Sequence, residues 1–339
     1  MNENLDLTPL VTPQEDFDGC VLHLHKSDDT DAPRIELLHL KFSEEKPRDQ
    51  ALAKILANQI VNFAIPKSKI SKIIEQTETG DFSGASKLNA EAISLLIKYQ
   101  TDQTHQKTAS QNKAKGKKTQ KQNLRYTELG ELASFCIANL YLSAGQIVSK
   151  MSLKTAAGMP VFGYDGVHAR MTSNGEFELI ILESKVTESA KGGTDKYAKS
   201  VAKFESDDAT ESNELRLAHD LGNLDMLDQK TKDQAAEYLD PYSKAQNKVR
   251  KRLIGTVIFS EDSYKVSLPP NDVTSSAQHE ENFSNEFSKY KDSLLSNLKT
   301  ALDASDIAHG KCRVFYLAVP CVDNLKTLFA KQITHDHLR

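Results

Sequence analysis

Apolar residues recur with the spacing of strands and helices through the first hundred residues. Two strand-like segments, Val21–Lys26 and Arg34–Phe42, flank a turn-rich stretch and predict a β-hairpin. In Arg48–Ala64 the apolar residues repeat at helical spacing, and Pro66 predicts the end of that helix. Further helices are predicted over Lys67–Gln76 and Lys87–Gln100. Residues 1–100 are therefore expected to form a small α+β N-terminal domain, a candidate docking module for a partner.

A polar segment follows this predicted domain. Residues Thr101–Gln122 are almost devoid of apolar side chains and hold six lysines. Such a composition is typical of a linker or loop. A solvated tether is favoured over a basic arm that contacts phosphates, because lysine runs are usually only solvated. Residues 123–339 are then expected to form a second domain.

Helices and strands alternate through the second predicted domain. Arg125–Leu142 has helical periodicity, and Glu128 and Glu131 lie three positions apart on it. The elements expected after it are the segment Gln146–Met151, strands Phe162–Met171 and Phe177–Val186, a helix over Lys191–Glu205, helices across Glu211–Arg250, and strands Leu253–Ser260 and Arg313–Val319 with a long helix Glu281–Asp303 between them. This alternation predicts an α/β sandwich around a mixed sheet.

Charged residues follow the apolar run of one predicted strand. A continuous apolar run, typical of a strand buried on both faces, precedes Glu183 and Lys185. Because strand side chains alternate between faces, Glu183 and Lys185 point the same way and Ser184 points opposite. Asp165 supplies a second carboxylate from the neighbouring predicted strand. Carboxylates beside an ammonium group suit a site that holds Mg²⁺ and hydrolyses a phosphodiester.

A purely structural interpretation, without a functional site, also explains Glu183, Lys185 and Asp165. Glu183 and Lys185 can form a weak surface ion pair where a strand meets solvent, with Asp165 opening a turn before Gly166. With 27% charged residues, Glu-x-Lys spacing also arises by chance. The buried character of the preceding run favours the site, because charges beside a buried strand need a compensating reason.

Composition narrows the function classes. The 339 residues and 39% hydrophobic content support two domains with real cores. A net charge of −4 means that any nucleic-acid surface must be a local patch. The four scattered cysteines indicate neither a zinc site nor a disulfide framework. Without a signal-peptide pattern or a long apolar run, the protein is expected to be cytoplasmic and not membrane-bound.

A family resemblance rests on three short sequence motifs: Tyr126–Glu131, Gly163–His168 and Leu182–Lys185. The order of helix glutamate, strand aspartate and Glu-x-Lys resembles the PD-(D/E)XK nuclease superfamily. The motifs themselves look like those of HamA, the nuclease component of Hachiman antiphage defence systems, and of its relative AbpA. Tyr164 replaces the superfamily's nominal proline, which removes one signature residue.

The resemblance implies an α-β-β-β-α-β nuclease core with extra helices in the second domain. It implies Asp165 and Glu183 as ligands of Mg²⁺ or Mn²⁺, Lys185 as the catalytic lysine, and Glu131 or Glu128 as a further carboxylate. It also implies a superfamily 2 DNA helicase that holds the nuclease in check. Nothing in composition or spacing shows that partner.

Other polar residues are weaker candidates. His168 lies three residues after Asp165, so on an alternating strand it faces away, and a structural or DNA-contacting role is favoured over metal ligation. Lys248 and Arg250 belong to a predicted basic helix end that could line a DNA groove. A solvated helical surface explains them about equally well.

The leading hypothesis is a metal-dependent deoxyribonuclease that acts as the effector of a two-component antiphage complex. The alternative is a catalytically inactive, nuclease-like adaptor that binds DNA or regulates the helicase. A weaker third hypothesis is a repair or restriction nuclease without a helicase partner.

Overall fold

The computed structural model describes residues 5–96 without 15, 29 and 44–45, residues 128–151 without 150, residues 164–207, residues 223–266 without 241 and 245–248, and residues 276–337. The predicted linker Thr101–Gln122 and the candidate DNA-binding residue Lys248 lie outside these residues. The expected domain boundaries at residues 100 and 122 do so as well.

The described strands form one large sheet and one small one. Their bounds are β1 Val21–His25, β2 Arg34–Leu40, β3 Phe42–Ser43, β4 Lys46–Pro47, β5 Gly145–Gln146, β6 Gly166–Met171, β7 Phe177–Thr187, β8 Arg250–Ser260 and β9 Cys312–Val319. Seven of them form a sheet in the order β1-β2-β9-β8-β7-β6-β5, and β3 pairs with β4. The four central strands β2, β9, β8 and β7 are parallel to one another, while β1, β6 and β5 are antiparallel to their neighbours. The chain is therefore an α/β protein with a mixed sheet, as the alternation of elements predicts.

Helices cover both sides of this sheet. They are α1 Phe17–Cys20, α2 Asp49–Asn58, α3 Ile60–Ala64, α4 Lys67–Glu78, α5 over residues 83–96, α6 Glu128–Leu142, α7 Ala190–Glu205, α8 Gln229–Leu239, α9 Ser263–Val266, α10 Ser276–Ser288, α11 Lys291–Asp303 and α12 Val322–His337. None of the described helices combines the length and the apolar character that crossing a membrane requires.

Most predicted elements are confirmed, with three corrections. The predicted hairpin pairs β1 with β2 in antiparallel register. The predicted helix over Arg48–Ala64 is two helices, α2 and α3, and the predicted helix over Glu281–Asp303 is also two, α10 and α11. Arg250 begins strand β8 and does not end a helix, so its predicted helical setting is wrong. It lies in a strand because its neighbour Glu178 on β7 offers a paired position in the sheet.

The first hundred residues share a sheet with the rest of the chain. Strand β2 pairs in parallel with β9, which places Ile35 beside Val314 and Leu37 beside Tyr316. The buried apolar side chains form one continuous cluster that extends from Leu5 to Ile333. Among the described residues, the N-terminal segment is thus an extension of the same α/β core.

Two glycines show which helix covers each face of β7. A Cβ atom on Gly130 of α6 would lie 2.8 Å from Ser184 Oγ and 2.9 Å from Val186 Cγ2. A Cβ atom on Gly193 of α7 would lie 2.9 Å from Thr187 Oγ1 on the same strand. Because residues 184 and 186 point opposite to residues 183, 185 and 187, α6 lies on the Ser184 face and α7 on the Glu183 face.

Helix α7 is fixed over its face by its cap and its apolar side. The Ser189 hydroxyl accepts a hydrogen bond from the Gly192 backbone N–H, which caps the first turn. Tyr197, Ala198 and Val201 bury the side of the helix that faces the sheet. The Tyr197 ring packs over Gly255, which is the neighbour of Glu183 in strand β8. A side chain at position 255 would displace this ring, so the glycine allows α7 to close over Glu183.

Candidate active site

Glu183 and Lys185 form a buried acid and base pair within strand β7. The Lys185 ammonium donates to Oε1 of Glu183. Glu183 is only 5% exposed, whereas the Lys185 side chain is 20% exposed. The strand continues past both residues to Thr187, so the pair lies inside the strand and not at its exit. The sequence prediction that both side chains share a face is confirmed by their contact.

The second carboxylate oxygen of Glu183 has no hydrogen-bond partner. Oε2 is buried, and no described residue donates to it. The Ser200 hydroxyl on α7 lies near enough to the carboxylate to lower the pKa of Glu183. A buried carboxylate oxygen without a donor is costly unless a cation or a proton neutralises it.

The electrostatic setting of Glu183 favours its protonated form. Burial raises the pKa of the Glu183 carboxyl to about 7, and the neighbouring Asp165 carboxylate adds to this rise. The Lys185 ammonium opposes the rise but does not cancel it. Near neutral pH, Glu183 can therefore exchange its proton for another cation at little cost.

Asp165 immediately precedes β6 and is held firmly against β7. Its backbone N–H donates to the Leu182 carbonyl at 3.0 Å, which fixes the main chain beside the neighbouring strand. Its Oδ2 accepts hydrogen bonds from the Ser184 backbone N–H at 2.6 Å and from the Ser184 hydroxyl at 2.7 Å. Within the described residues, no donor binds Oδ1. The hydrogen bonds to Oδ2 thus orient the carboxylate, and Oδ1 remains available to bind a ligand.

The two helix glutamates reach the sheet from the α6 side. Glu128 is buried and Glu131 is half-buried, and both make contacts of their own. Because α6 covers the Ser184 face of β7, these glutamates approach from the side opposite to Glu183. In the part of the chain that the structure describes, no three His, Cys, Asp or Glu side chains are grouped to hold a metal ion. The expected set of Asp165, Glu183 and Glu131 is therefore not assembled as a three-ligand group.

A two-carboxylate cation site still fits the residues present. In the part of the chain that the structure describes, Oε2 of Glu183 and Oδ1 of Asp165 both lack a donor, and Asp165 is close enough to raise the pKa of Glu183. Hard cations such as Mg²⁺ and Mn²⁺ bind through a few carboxylate oxygens and retain water. Asp165 and Glu183 are thus suitable ligands.

His168 belongs to the core. It is fully buried, and its ring lies 5.9 Å from the Phe135 ring in an edge-to-face contact. Burial lowers the pKa of His168 to about 3, and the Lys67 charge adds to this. No described residue forms a hydrogen bond with either ring nitrogen. A neutral histidine inside the core contributes to packing, so contact with DNA does not fit its position.

Arg250 is exposed at the edge of the sheet. Its guanidinium contacts Glu176 at 3.0 Å and lies 3.9 Å from Glu178. The proposed DNA contact of Arg250 therefore competes with a surface ion pair.

Sequence reasoning missed two features of this region. One is the role of Ser184, which appears in the sequence only as the variable residue of a Glu-x-Lys motif. The other is a group of arginines around Glu178, including Arg170 and Arg252. The sequence does show charged residues at the start of β7 and of β8, which is a signal for the arginine group. Only the register of β6, β7 and β8 shows that these charged residues meet.

The fold and this site define the class of the protein: an α/β protein that carries a buried carboxylate and ammonium pair on a central strand, next to an oriented aspartate. The family model named HamA matches residues 15–333, which is nearly the whole chain. The chain belongs to the HamA family, and this membership relates it to Hachiman antiphage defence. No curated protein matches the chain significantly, and no solved structure does so either.

Proposed function

We propose that the protein is a metal-dependent deoxyribonuclease and the effector of a two-component antiphage complex. The observation that carries the proposal is the arrangement of Glu183 and Lys185 on β7 beside Asp165, which precedes β6, with one oxygen of each carboxylate lacking a donor among the described residues. Membership of the HamA family supports the defence role.

The order of elements supports a PD-(D/E)XK-type core. From Glu128 to Ser260 the main elements are helix α6, strands β5, β6 and β7, helix α7 and strand β8, with α8 inserted before β8. This is the α-β-β-β-α-β order that the family resemblance implies. Strands β5, β6 and β7 are antiparallel, and the α7 crossover makes β8 parallel to β7.

Asp165 and Glu183 would hold the cation. A bound Mg²⁺ or Mn²⁺ ion neutralises charge on a scissile phosphate and lowers the pKa of a water molecule. Ser184 fixes the orientation of Asp165 through two hydrogen bonds, which keeps its carboxylate from rotating. Helix α7 excludes bulk water from the buried side of Glu183 and strengthens its interactions with nearby charges.

Lys185 would act on the phosphate. Its ammonium is more exposed than its carboxylate partner, so it can leave Oε1 of Glu183 and donate to a phosphate oxygen. A fixed positive charge at that oxygen stabilises the negative charge that develops in the transition state. Arg250 and Lys248 would contact the DNA backbone beyond the site.

A helicase partner completes the proposal. We infer from the family resemblance that a superfamily 2 DNA helicase binds the protein and restrains cleavage until foreign DNA is sensed. The segment over residues 1–100 remains the candidate docking region for that partner.

A non-catalytic adaptor is the second candidate function. It is favoured by the absence of a three-ligand group among the described residues and by the internal pairing of Lys185 with Glu183. Such a protein would bind DNA or regulate the helicase without cleaving. It would show no cleavage in Mg²⁺ or Mn²⁺ at any protein concentration.

Cleavage of labelled double-stranded and single-stranded DNA separates the two functions. We expect the isolated chain to cut DNA in Mg²⁺ or Mn²⁺ and to stop when EDTA is added. Glu183→Gln and Lys185→Met should each reduce the rate by about 100-fold or more, because each removes an interaction that stabilises the transition state.

Glu188→Gln is the matched control, because Glu188 is an exposed glutamate just after the same strand. It should cut at the wild-type rate. Equal rates for wild type, Glu183→Gln and Lys185→Met would show that Glu183 and Lys185 do not act in catalysis.

A further inference from the structure

A second charged site lies where the parallel strands begin, away from Glu183. A pocket there is lined by residues of β2, β6, β7, β8 and β9 and by the end of α6. Its charged lining residues are Arg34, Arg170, Glu178, Arg252, Lys311 and Arg313. Five of these six side chains are basic, which is unusual in a protein whose net charge is −4.

Two of the arginines share one buried carboxylate. Arg170 contacts Oε2 of Glu178 through Nε at 2.8 Å and Nη2 at 2.7 Å. Arg252 contacts Oε1 of the same glutamate through Nε at 3.0 Å. Burial raises the pKa of Glu178, but the Arg170 and Arg252 guanidiniums outweigh it and hold this pKa below its usual value. Glu178 is therefore ionised, and it balances one of the two positive charges.

Backbone carbonyls hold the same two guanidiniums at a second point. Arg170 Nη1 donates to the Leu142 carbonyl at the end of α6 at 2.9 Å, and Arg252 Nη1 donates to the Gly310 carbonyl at 2.6 Å. Carbonyls satisfy N–H groups but carry no net charge. Both guanidiniums are thus fixed in position while one positive charge remains unmatched.

Arg313 is fixed beside them by a different carboxylate. Its Nη2 and Nε contact Oε1 of Glu36 at 2.7 and 2.8 Å, and its guanidinium lies 5.3 Å from the Phe315 ring centroid. Glu36 is fully buried and also contacts His23 at 2.7 Å. The arginine side chains 170, 252 and 313 retain exposures of 27%, 12% and 17%, so each still reaches the pocket.

This arrangement suits a small dianion. Each guanidinium has five N–H donors, and those that Glu178, Glu36 and the two carbonyls do not use can donate to phosphate oxygens, while prior fixing lowers the entropic cost of binding. Two guanidiniums of low exposure that share one carboxylate also leave an excess positive charge, which is unfavourable until an anion neutralises it. A terminal phosphate carries close to two negative charges at neutral pH, more than a phosphodiester does.

The pocket is separate from the candidate active site. Glu178 is an even-numbered position of β7 and faces the α6 side, whereas Glu183 faces α7. Five residues of extended strand also separate the two positions by about 16 Å. One ligand group therefore cannot occupy both places.

We propose that this pocket binds a terminal phosphate group, carried by a free nucleotide or by the end of a nucleic-acid strand. The proposal does not depend on nuclease activity. It assigns to the protein a second anion-recognising site on the face of the sheet opposite to Glu183.

The test is calorimetric titration of the full chain in EDTA at constant ionic strength. The probes are inorganic phosphate, deoxyadenosine 5′-monophosphate, and one short oligonucleotide with and without a 5′-phosphate. We expect saturable phosphate binding that chloride does not reproduce. Tighter binding of the mononucleotide identifies a free nucleotide as the source, and tighter binding of the 5′-phosphorylated oligonucleotide over its unphosphorylated form identifies a strand end.

Two substitutions of Arg252 and one control variant locate the binding. Arg252→Met should weaken phosphate binding at least ten-fold, and Arg252→Lys should weaken it less, because lysine keeps the charge but loses the fork. Lys289→Met removes the same charge from an exposed lysine that does not line the pocket, so it should bind as wild type does. If Arg252→Met fails to fold, Arg252→Lys alone provides the comparison with wild type.

Glu183→Gln should bind phosphate with wild-type affinity, which keeps this proposal distinct from the nuclease proposal. Three results would overturn the proposal that this pocket binds phosphate: no phosphate binding beyond that of chloride, unchanged binding in both Arg252 variants, or loss of binding in Glu183→Gln.

Discussion

Ser184 donates two hydrogen bonds to a single oxygen of Asp165, one from its backbone N–H at 2.6 Å and one from its hydroxyl at 2.7 Å. The residue between Glu183 and Lys185 thus orients the carboxylate of the neighbouring strand. Ser184 faces α6 while Glu183 faces α7, so consecutive residues of β7 contribute to opposite sides of the sheet at this point.

Ser184→Ala removes the hydroxyl bond and leaves the backbone bond intact. We expect the free energy of unfolding to fall by about 1 kcal/mol, the usual net value of one hydrogen bond. DNA cleavage should fall more steeply than stability, because Asp165 gains freedom to rotate. Urea denaturation and cleavage rates measured on the same preparation check this. Unchanged cleavage in a destabilised variant would mean that the orientation of Asp165 is irrelevant to the reaction.

Stability should depend on pH through Glu183. Its pKa is about 7 in the folded protein, whereas an unperturbed glutamate has a pKa of 4.5, so the folded state keeps a proton that the unfolded chain releases. The free energy of unfolding should therefore fall as pH rises from 4.5 to about 7 and level off above it, by an amount on the order of 3 kcal/mol.

Glu183→Gln should lack this fall when both proteins are unfolded in urea and EDTA across that pH range. The control Glu188→Gln should follow the wild-type curve, because Glu188 is exposed. Parallel curves for wild type and Glu183→Gln would show that Glu183 is not the titrating group.

Gly130→Ala tests the close approach of α6 to β7. The added Cβ would lie 2.8 Å from Ser184 Oγ, closer than real Cβ contacts come. Overpacking of this kind costs about 1–3 kcal/mol, which exceeds the gain of about 1 kcal/mol from replacing a helical glycine. We therefore expect a lower midpoint in thermal unfolding.

Gly19→Ala is the control for that measurement, because a Cβ there meets nothing within 4 Å. It should leave the midpoint unchanged or raise it. A stabilising effect of Gly130→Ala would contradict the packing of α6 against Ser184.

The sequence predicted those features that depend on local periodicity. Alternation alone places Glu183 and Lys185 on one face of β7, and their contact confirms this. The apolar run before Glu183 correctly indicated a buried strand. The spacing of apolar residues also predicts α6 and α7. The same spacing continues from α10 into α11, so it does not reveal that the two residues between these helices are not helical.

Features that depend on pairing between distant segments were not predictable in this way. The pairing of β2 with β9 joins residues nearly three hundred positions apart, and no local pattern encodes it. The sequence predicts a helix that extends to Arg250, but Glu178 on β7 and Glu176 just before β7 provide its partners at the sheet. The two hydrogen bonds of Ser184 likewise require the register of β6 beside β7.

The central claim is that Asp165 and Glu183 together hold a divalent cation. Calorimetric titration with Mn²⁺ at pH 8, where Glu183 is ionised, tests it most directly in wild type and in Asp165→Asn, a variant that can still accept hydrogen bonds from Ser184. We expect one ion per chain in wild type and binding at least about ten-fold weaker in Asp165→Asn. Equal Mn²⁺ affinity in the two proteins, or no binding by wild type, would contradict it.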